Sequence, residues 1–143
     1  MNRALAALSL ALLAAGLTTA CAPTSSDIEE RVLGTVAAGS TLTVTDLLPE
    51  EGAKRFTVAC PYETAADVAA RLDVDAKAVP DLSDRDDAQA LVVVTADGID
   101  ASELPRDRVD FCSTGGAWPA YSGDADDTLA VTRNDDDVYD VTR

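Results

Sequence analysis

The chain contains no histidine. That removes the commonest general base near neutral pH and the commonest side-chain ligand of transition metals. Positive charge is scarce as well: 11 Lys and Arg face 26 Asp and Glu, for a net charge of −15. A surface of that sign repels phosphate backbones and anionic lipid head groups, so nucleic acid is excluded as a partner. Large aromatics are few, with one Trp, three Tyr and two Phe in 143 residues. The core must therefore be poor in big rings. No glycine-rich phosphate loop, no nucleophile–base pair and no metal-ligand spacing occurs, which leaves no catalytic residue and no cofactor to assign.

What is present begins at the N-terminus. Arg3 gives a short positive start, residues 4–17 form an almost unbroken apolar run, and Thr18-Thr19-Ala20 are small residues before Cys21. A basic start, an apolar stretch and a small-residue cleavage site make an export signal. The run is shorter than the roughly 20 residues a spanning helix needs, and small alanines dominate it. The closing Leu17-Thr18-Thr19-Ala20-Cys21 resembles a bacterial lipobox, although leucine usually stands where Thr18 is. The resemblance implies that the Cys21 thiol receives a diacylglyceryl group, that the signal is cut just before it, and that palmitate-type acyl chains hold the protein on the extracytoplasmic face of a cell membrane. An ordinary secretory signal cut near Ala20 or Ala22 is the alternative. On the lipobox reading, residues 1–20 are removed, residues 21–26 are the lipidated N-terminus and tether, and residues 27–143 are one domain. Removal of residues 1–20 takes away Arg3 and no acid, so the mature domain is more acidic still. Its hold on the bilayer must come from the lipid.

The mature chain alternates helical and strand patterns. Ser26 and Glu29 have capping-box spacing, Ile28, Val32, Leu33 and Val36 share a helical face, and Gly39 can end that helix in a left-handed conformation. A strand over residues 31–36 is the alternative to that helix. Thr41 to Thr45 alternates like a half-buried strand, and residues 46–52 read as a loop. Phe56, Val58 and Cys60 share one face of a strand that Pro61 stops. Thr64 and Asp67 cap a helix bearing Ala65, Val68, Ala69 and Leu72. A polar loop over residues 73–89 leads to Leu91-Val92-Val93-Val94, a β-branched run expected to be a strand buried on both faces. Ala96-Asp97-Gly98 turns the chain, and residues 99–104 can return as a hairpin partner. A short strand is expected over residues 108–112, a loop over 113–127, and a terminal hairpin with strands 128–133 and 137–142. Across its Asn134-Asp135-Asp136 turn, Leu129 and Val131 pair with Tyr139 and Val141. The sum is an α+β domain: one antiparallel or mixed sheet with one or two helices packed on one face.

From Thr41 onward, scattered dipeptides such as Asp46-Leu47, Pro61-Tyr62, Pro105-Arg106 and Asp110-Phe111 give a spacing similar to small bacterial lipoproteins of the cell envelope. That likeness implies an envelope location and carries over no catalytic residue. The stretch Thr57-Val58-Ala59-Cys60-Pro61-Tyr62 before a helix also looks like the start of a glutaredoxin, but Glu63 stands where the second cysteine belongs. An acid beside the thiol raises its pKa, against redox use.

Three further sets of residues stand out. Asp124, Asp126 and Asp127, and then Asp135, Asp136, Asp137 and Asp140, are dense carboxylates. They lack the alternating acids, glycine and closing glutamate of a calcium loop, and read as solvated turns, as do Asp84, Asp86 and Asp87. Trp118 and Tyr121, in a glycine-rich loop, either cover the core edge or contact a partner. Arg106 and Arg108 either receive an acidic partner or pair with neighbouring acids.

Once Cys21 is taken by lipid, Cys60 and Cys112 are the cysteines left in an oxidising compartment, and a structural disulfide between two strand ends is expected. Cys112 alternates away from Val109 and Phe111, so the bridge needs a twist or a strand that has already ended. The functional expectation is an anchored envelope lipoprotein whose non-catalytic domain binds or supports another envelope protein or ligand. The alternatives are a thiol-redox protein using Cys60 and a weak divalent-cation binder using the acidic hairpin.

Overall fold

The computed structural model describes residues 25–48, 52–113 and 122–143. Cys21, Trp118 and Tyr121 lie outside them. The elements are α1 (Ser25–Ala38), β1 (Thr41–Leu42), α2 (Val44–Leu47), β2 (Arg55–Ala59), α3 (Ala65–Leu72), β3 (Ala88–Val94), β4 (Ile99–Pro105), β5 (Val109–Asp110), β6 (Ser122–Asp124), β7 (Leu129–Arg133) and β8 (Tyr139–Thr142), with a 3-10 turn at Ala76–Ala78. The class is α+β.

The strands divide between two sheets where the sequence suggested one. The first has the order β4-β3-β2-β6, with every neighbouring pair antiparallel. The second has the order β1-β7-β8-β5, with β5 and β8 parallel.

The alternation of β2 and β3 explains the layering. Phe56, Val58, Leu91 and Val93 point into a large core with Ile28, Val32 and Val36 of α1, Leu47 of α2, and Leu129, Val131 and Val141 of the second sheet. Ala59, Ala90 and Val92 point the other way, against Val68, Ala69 and Leu72 of α3 and against Val79 and Leu82. The first sheet is thus a central layer with apolar cover on both faces. That is why β3 carries a continuous β-branched run rather than an alternating one.

Several local expectations hold. The Thr64 hydroxyl accepts the Asp67 N–H at 3.2 Å and caps α3. Residues 31–36 are helical, with Ile28, Val32 and Val36 buried and Leu33 packed beside them. Others change. α1 starts at Ser25, so Ser26 lies inside the helix rather than capping it, and Glu29 pairs with Arg108. Gly39 follows α1 without a positive φ, and the chain passes directly into β1. The strand expected over residues 41–45 is only two residues long. Thr43 accepts the Asp46 N–H at 3.1 Å and opens the single turn of α2, because a threonine hydroxyl that finds an N–H three residues on favours a cap. Within the supposed loop 113–127, Ser122–Asp124 pairs with β2 as an edge strand.

The terminal hairpin forms with a slightly different register. Val131 faces Val141, but Tyr139 faces Arg133, whose guanidinium lies 5.7 Å from the ring centroid. The turn is longer than expected and is organised by Asn134. Its carbonyl accepts the Asp137 N–H, its side-chain oxygen accepts the Asp136 and Val138 N–H groups, and its own N–H donates to the Val138 carbonyl. This leaves Asp137 at φ 65°, the left-handed position that glycine fills at least cost in a bulged hairpin turn. Asp137→Gly is therefore expected to raise stability by up to about 1 kcal/mol, because the Arg133 ion pair it loses is exposed and weak. Asn134→Ala is expected to lower it by about 1–2 kcal/mol through the lost turn bonds. Urea unfolding of both variants measures the two changes.

Candidate functional site

The chemistry-bearing residues collect at one end of the central sheet, where β2 ends at Ala59, β3 begins at Ala88 and β4 ends at Pro105. Cys60 and Cys112 are bridged there, with their α-carbons 5.8 Å apart. β5 stops at Asp110, so Cys112 lies beyond the strand and is not bound by its alternation. This is the geometry that resolves the facing problem set by Val109 and Phe111.

Glu63 is the polar hub of this end. Its carboxylate receives two guanidinium bonds from Arg71, at 2.6 and 3.0 Å, and also the Cys60 N–H at 2.8 Å. Arg71 continues to the Thr57 hydroxyl and the Val58 carbonyl, at 2.9 and 2.8 Å. One ion pair thus ties α3 to β2 and to the backbone of the bridged cysteine. The Arg71 side chain is only 10% exposed. A guanidinium that deep needs this full set of acceptors.

A second clamp lies beside it. Gln89, fully buried on β3, donates to the Val109 carbonyl at 2.6 Å and accepts the Phe111 N–H at 2.8 Å. Its amide plays the part of a peptide unit and fixes the β5 segment against the central sheet. Arg106 forms a two-point pair with Asp110, at 3.2 and 2.7 Å, and reaches the Asp86 carbonyl. Asp110 in turn accepts the Cys112 N–H at 2.6 Å. The neighbouring Arg108 pairs with Glu29 of α1 at 3.0 Å and keeps 59% of its side chain exposed. Of the two sequence-derived arginines, Arg106 is therefore held inside the scaffold, and Arg108 is the one with a free surface.

Sequence reasoning missed two residues here. Gln89 read as the last residue of a polar loop. Tyr62 entered only as part of a glutaredoxin-like string. It is the one large apolar side chain that stands exposed among the described residues, at 68%, and its φ is 68°. Its N–H donates to the Leu82 and Arg85 carbonyls, which hold the strained conformation. Nearby, hydrogen bonds from Ser83, first through its hydroxyl and then through its N–H, and from the Ala65 N–H hold the Asp81 carboxyl below its ordinary range. The Arg85 guanidinium does the same for Asp87.

Beside the β2–β6 pairing lies a cleft of about 280 Å³ lined by Arg55, Arg71, Leu72, Ser122, Gly123, Asp124, Asp127 and Arg143. Arg55 donates to the Leu72 carbonyl at the C-terminus of α3, where a cation suits the helix dipole. Arg143 pairs with Asp127. The cleft is mixed in sign, and its arginines brace the fold. Among the described residues, no group of three or more His, Cys, Asp and Glu side chains is placed to hold a metal ion. No family model, curated protein or solved structure matches this chain.

Two outcomes follow from the bridged end. Alkylation of the denatured, unreduced domain should find no free thiol at Cys60 or Cys112. Replacing both with Ala should cost about 4 kcal/mol, the chain-entropy value for a loop closed across 52 residues. Separately, Arg71→Ala should cost about 3 kcal/mol, the low end for breaking a buried pair, because Glu63 retains 26% exposure. Arg71→Ala combined with Glu63→Gln should cost less than the sum of the two single changes, a coupling that a double-mutant cycle in denaturant reads.

Proposed function

We propose that the protein is a membrane-anchored lipoprotein of the bacterial cell envelope, held by acyl chains on Cys21, whose α+β domain binds or supports another envelope component without catalysis. The observation that carries this reading is the apolar run ending in Thr19-Ala20-Cys21. The pairing of Cys60 with Cys112 supports it. A structural bridge suits an extracytoplasmic compartment, and it leaves Cys21 as the one cysteine outside the bridge. The scaffold supports the non-catalytic part. Arg71 and Asp110, the deepest charged groups of the bridged end, are occupied in holding segments together.

A thiol-redox role for Cys60 would require this bridge to open. Cys60 is only 8% exposed, its N–H is held by Glu63, and no second cysteine follows it at the glutaredoxin spacing. A cation-binding role for the terminal hairpin would need convergent carboxylates. The turn residues there are arranged around Asn134, and Asp137 faces Arg133.

Intact-mass measurement on the protein taken from bacterial membranes tests the proposal. The expected species begins at Cys21 and carries a diacylglyceryl group, and Cys21→Ser abolishes both the modification and the membrane retention. An unmodified N-terminus at Cys21 or Ala22 in the wild-type protein sinks it.

A further inference from the structure

The start of α1 and the exposed Tyr62 lie toward one end of the domain. Four peptide steps separate Cys21 from Ser25, where α1 begins, a reach of at most ~14 Å. The start of α1 must then lie close to the bilayer. Within its first turns, Glu29 pairs with Arg108, so the segment after β4 shares that level. From there the contacts lead across the end of the central sheet. Arg106 reaches the Asp86 carbonyl, Arg85 pairs with Glu103 near the end of β4, and the Arg85 and Leu82 carbonyls hold the Tyr62 N–H. Tyr62 and the start of α1 thus lie toward the same end of the strands.

We propose that this end rests on the bilayer and that Tyr62 sits in the lipid interface. The placement rests on the lipoprotein reading above. Tyrosine is suited to that position, since its ring is apolar and its hydroxyl meets water and head groups. The turn closed by the Glu63 N–H on the Cys60 carbonyl sets the left-handed backbone at Tyr62 and carries the ring outward. Charge contributes no attraction of its own. Arg85, Arg106 and Arg108 are each matched by Asp87, Asp110 and Glu29. The ring and the acyl chains therefore hold this end, and no basic patch is required. The β3–β4 turn at Asp97, about seven residues up the sheet, lies ~23 Å farther out.

The test places an indole at each end of the full-length, lipidated chain. Tyr62→Trp and Asp97→Trp both alter exposed positions, and Trp118 gives a background common to the wild type and both variants. The purified proteins are reconstituted into phosphatidylcholine and phosphatidylglycerol vesicles with and without brominated acyl chains. After the wild-type signal is subtracted, the indole at position 62 should be quenched at least about twofold more than the one at position 97. Equal quenching, or more at position 97, overturns the placement. So does an unquenched position 62, the result expected if a protein partner rather than lipid covers Tyr62. Intact mass taken on the same samples separates the two levels of failure. An acylated N-terminus without quenching overturns the placement alone, whereas an unacylated N-terminus overturns the anchor and the placement together.

Discussion

The two sheets share no hydrogen-bonded ladder, and what joins them at one end is a covalent bond beside an amide clamp. Cys60, just past β2, is bridged to Cys112, and Gln89 of β3 grips the backbone on both sides of Asp110. Elsewhere among the described residues, apolar side chains such as Phe56, Leu91, Leu129 and Val141 fill the space between the sheets. Those contacts are numerous but non-directional, and they would tolerate sliding of one sheet over the other. The bridge and the clamp remove that freedom. They also explain how a core whose fully buried rings, among the described residues, are Phe56 and Phe111 can hold one arrangement.

Polar groups at this end are handled by sharing. Glu63 serves Arg71 and the Cys60 N–H at once, and Asp110 serves Arg106 and the Cys112 N–H. Each half of the disulfide therefore has its backbone fixed by a carboxylate that is itself fixed by an arginine. The symmetry of the two arrangements is chemical, with one on the face that carries α3 and the other at the β5 edge. A single change at either arginine leaves a partly buried acid with its charge unanswered except by one backbone N–H, which is the costly kind of loss.

Much of this was legible in the sequence where the signal is local. The Thr64 cap, the doubly covered β3, the apolar face of α1 and the terminal hairpin each follow from spacing within a dozen residues. The bridge was legible by a different route, through the parity of three cysteines and a resemblance at the first of them. What escaped depends on partners far along the chain. The threonine alternation at residues 41–45 supports a strand or a cap equally well, and Leu42 is fixed as strand only by Leu129. Ser122–Asp124 has no strand character of its own and is recruited by β2. Gln89 is polar in composition, yet it is buried because Val109 and Phe111 supply the backbone groups it needs. Tyr62 carries no pattern at all; only the exposure and the backbone angle single it out.

The position of β8 governs the order in which the molecule can assemble. This strand, at Tyr139–Thr142, lies between β7 and β5, so the second sheet is incomplete until it docks. Val141 is fully inside the core and pairs with Val131, while the parallel pairing joins Val109 to Tyr139, thirty positions along the chain. Contacts of that range form late and slowly, because the ends of a long loop must meet first. Until β8 docks, β7 and β5 have no ladder between them, so this half of the protein stays open while the β4-β3-β2 meander can already form.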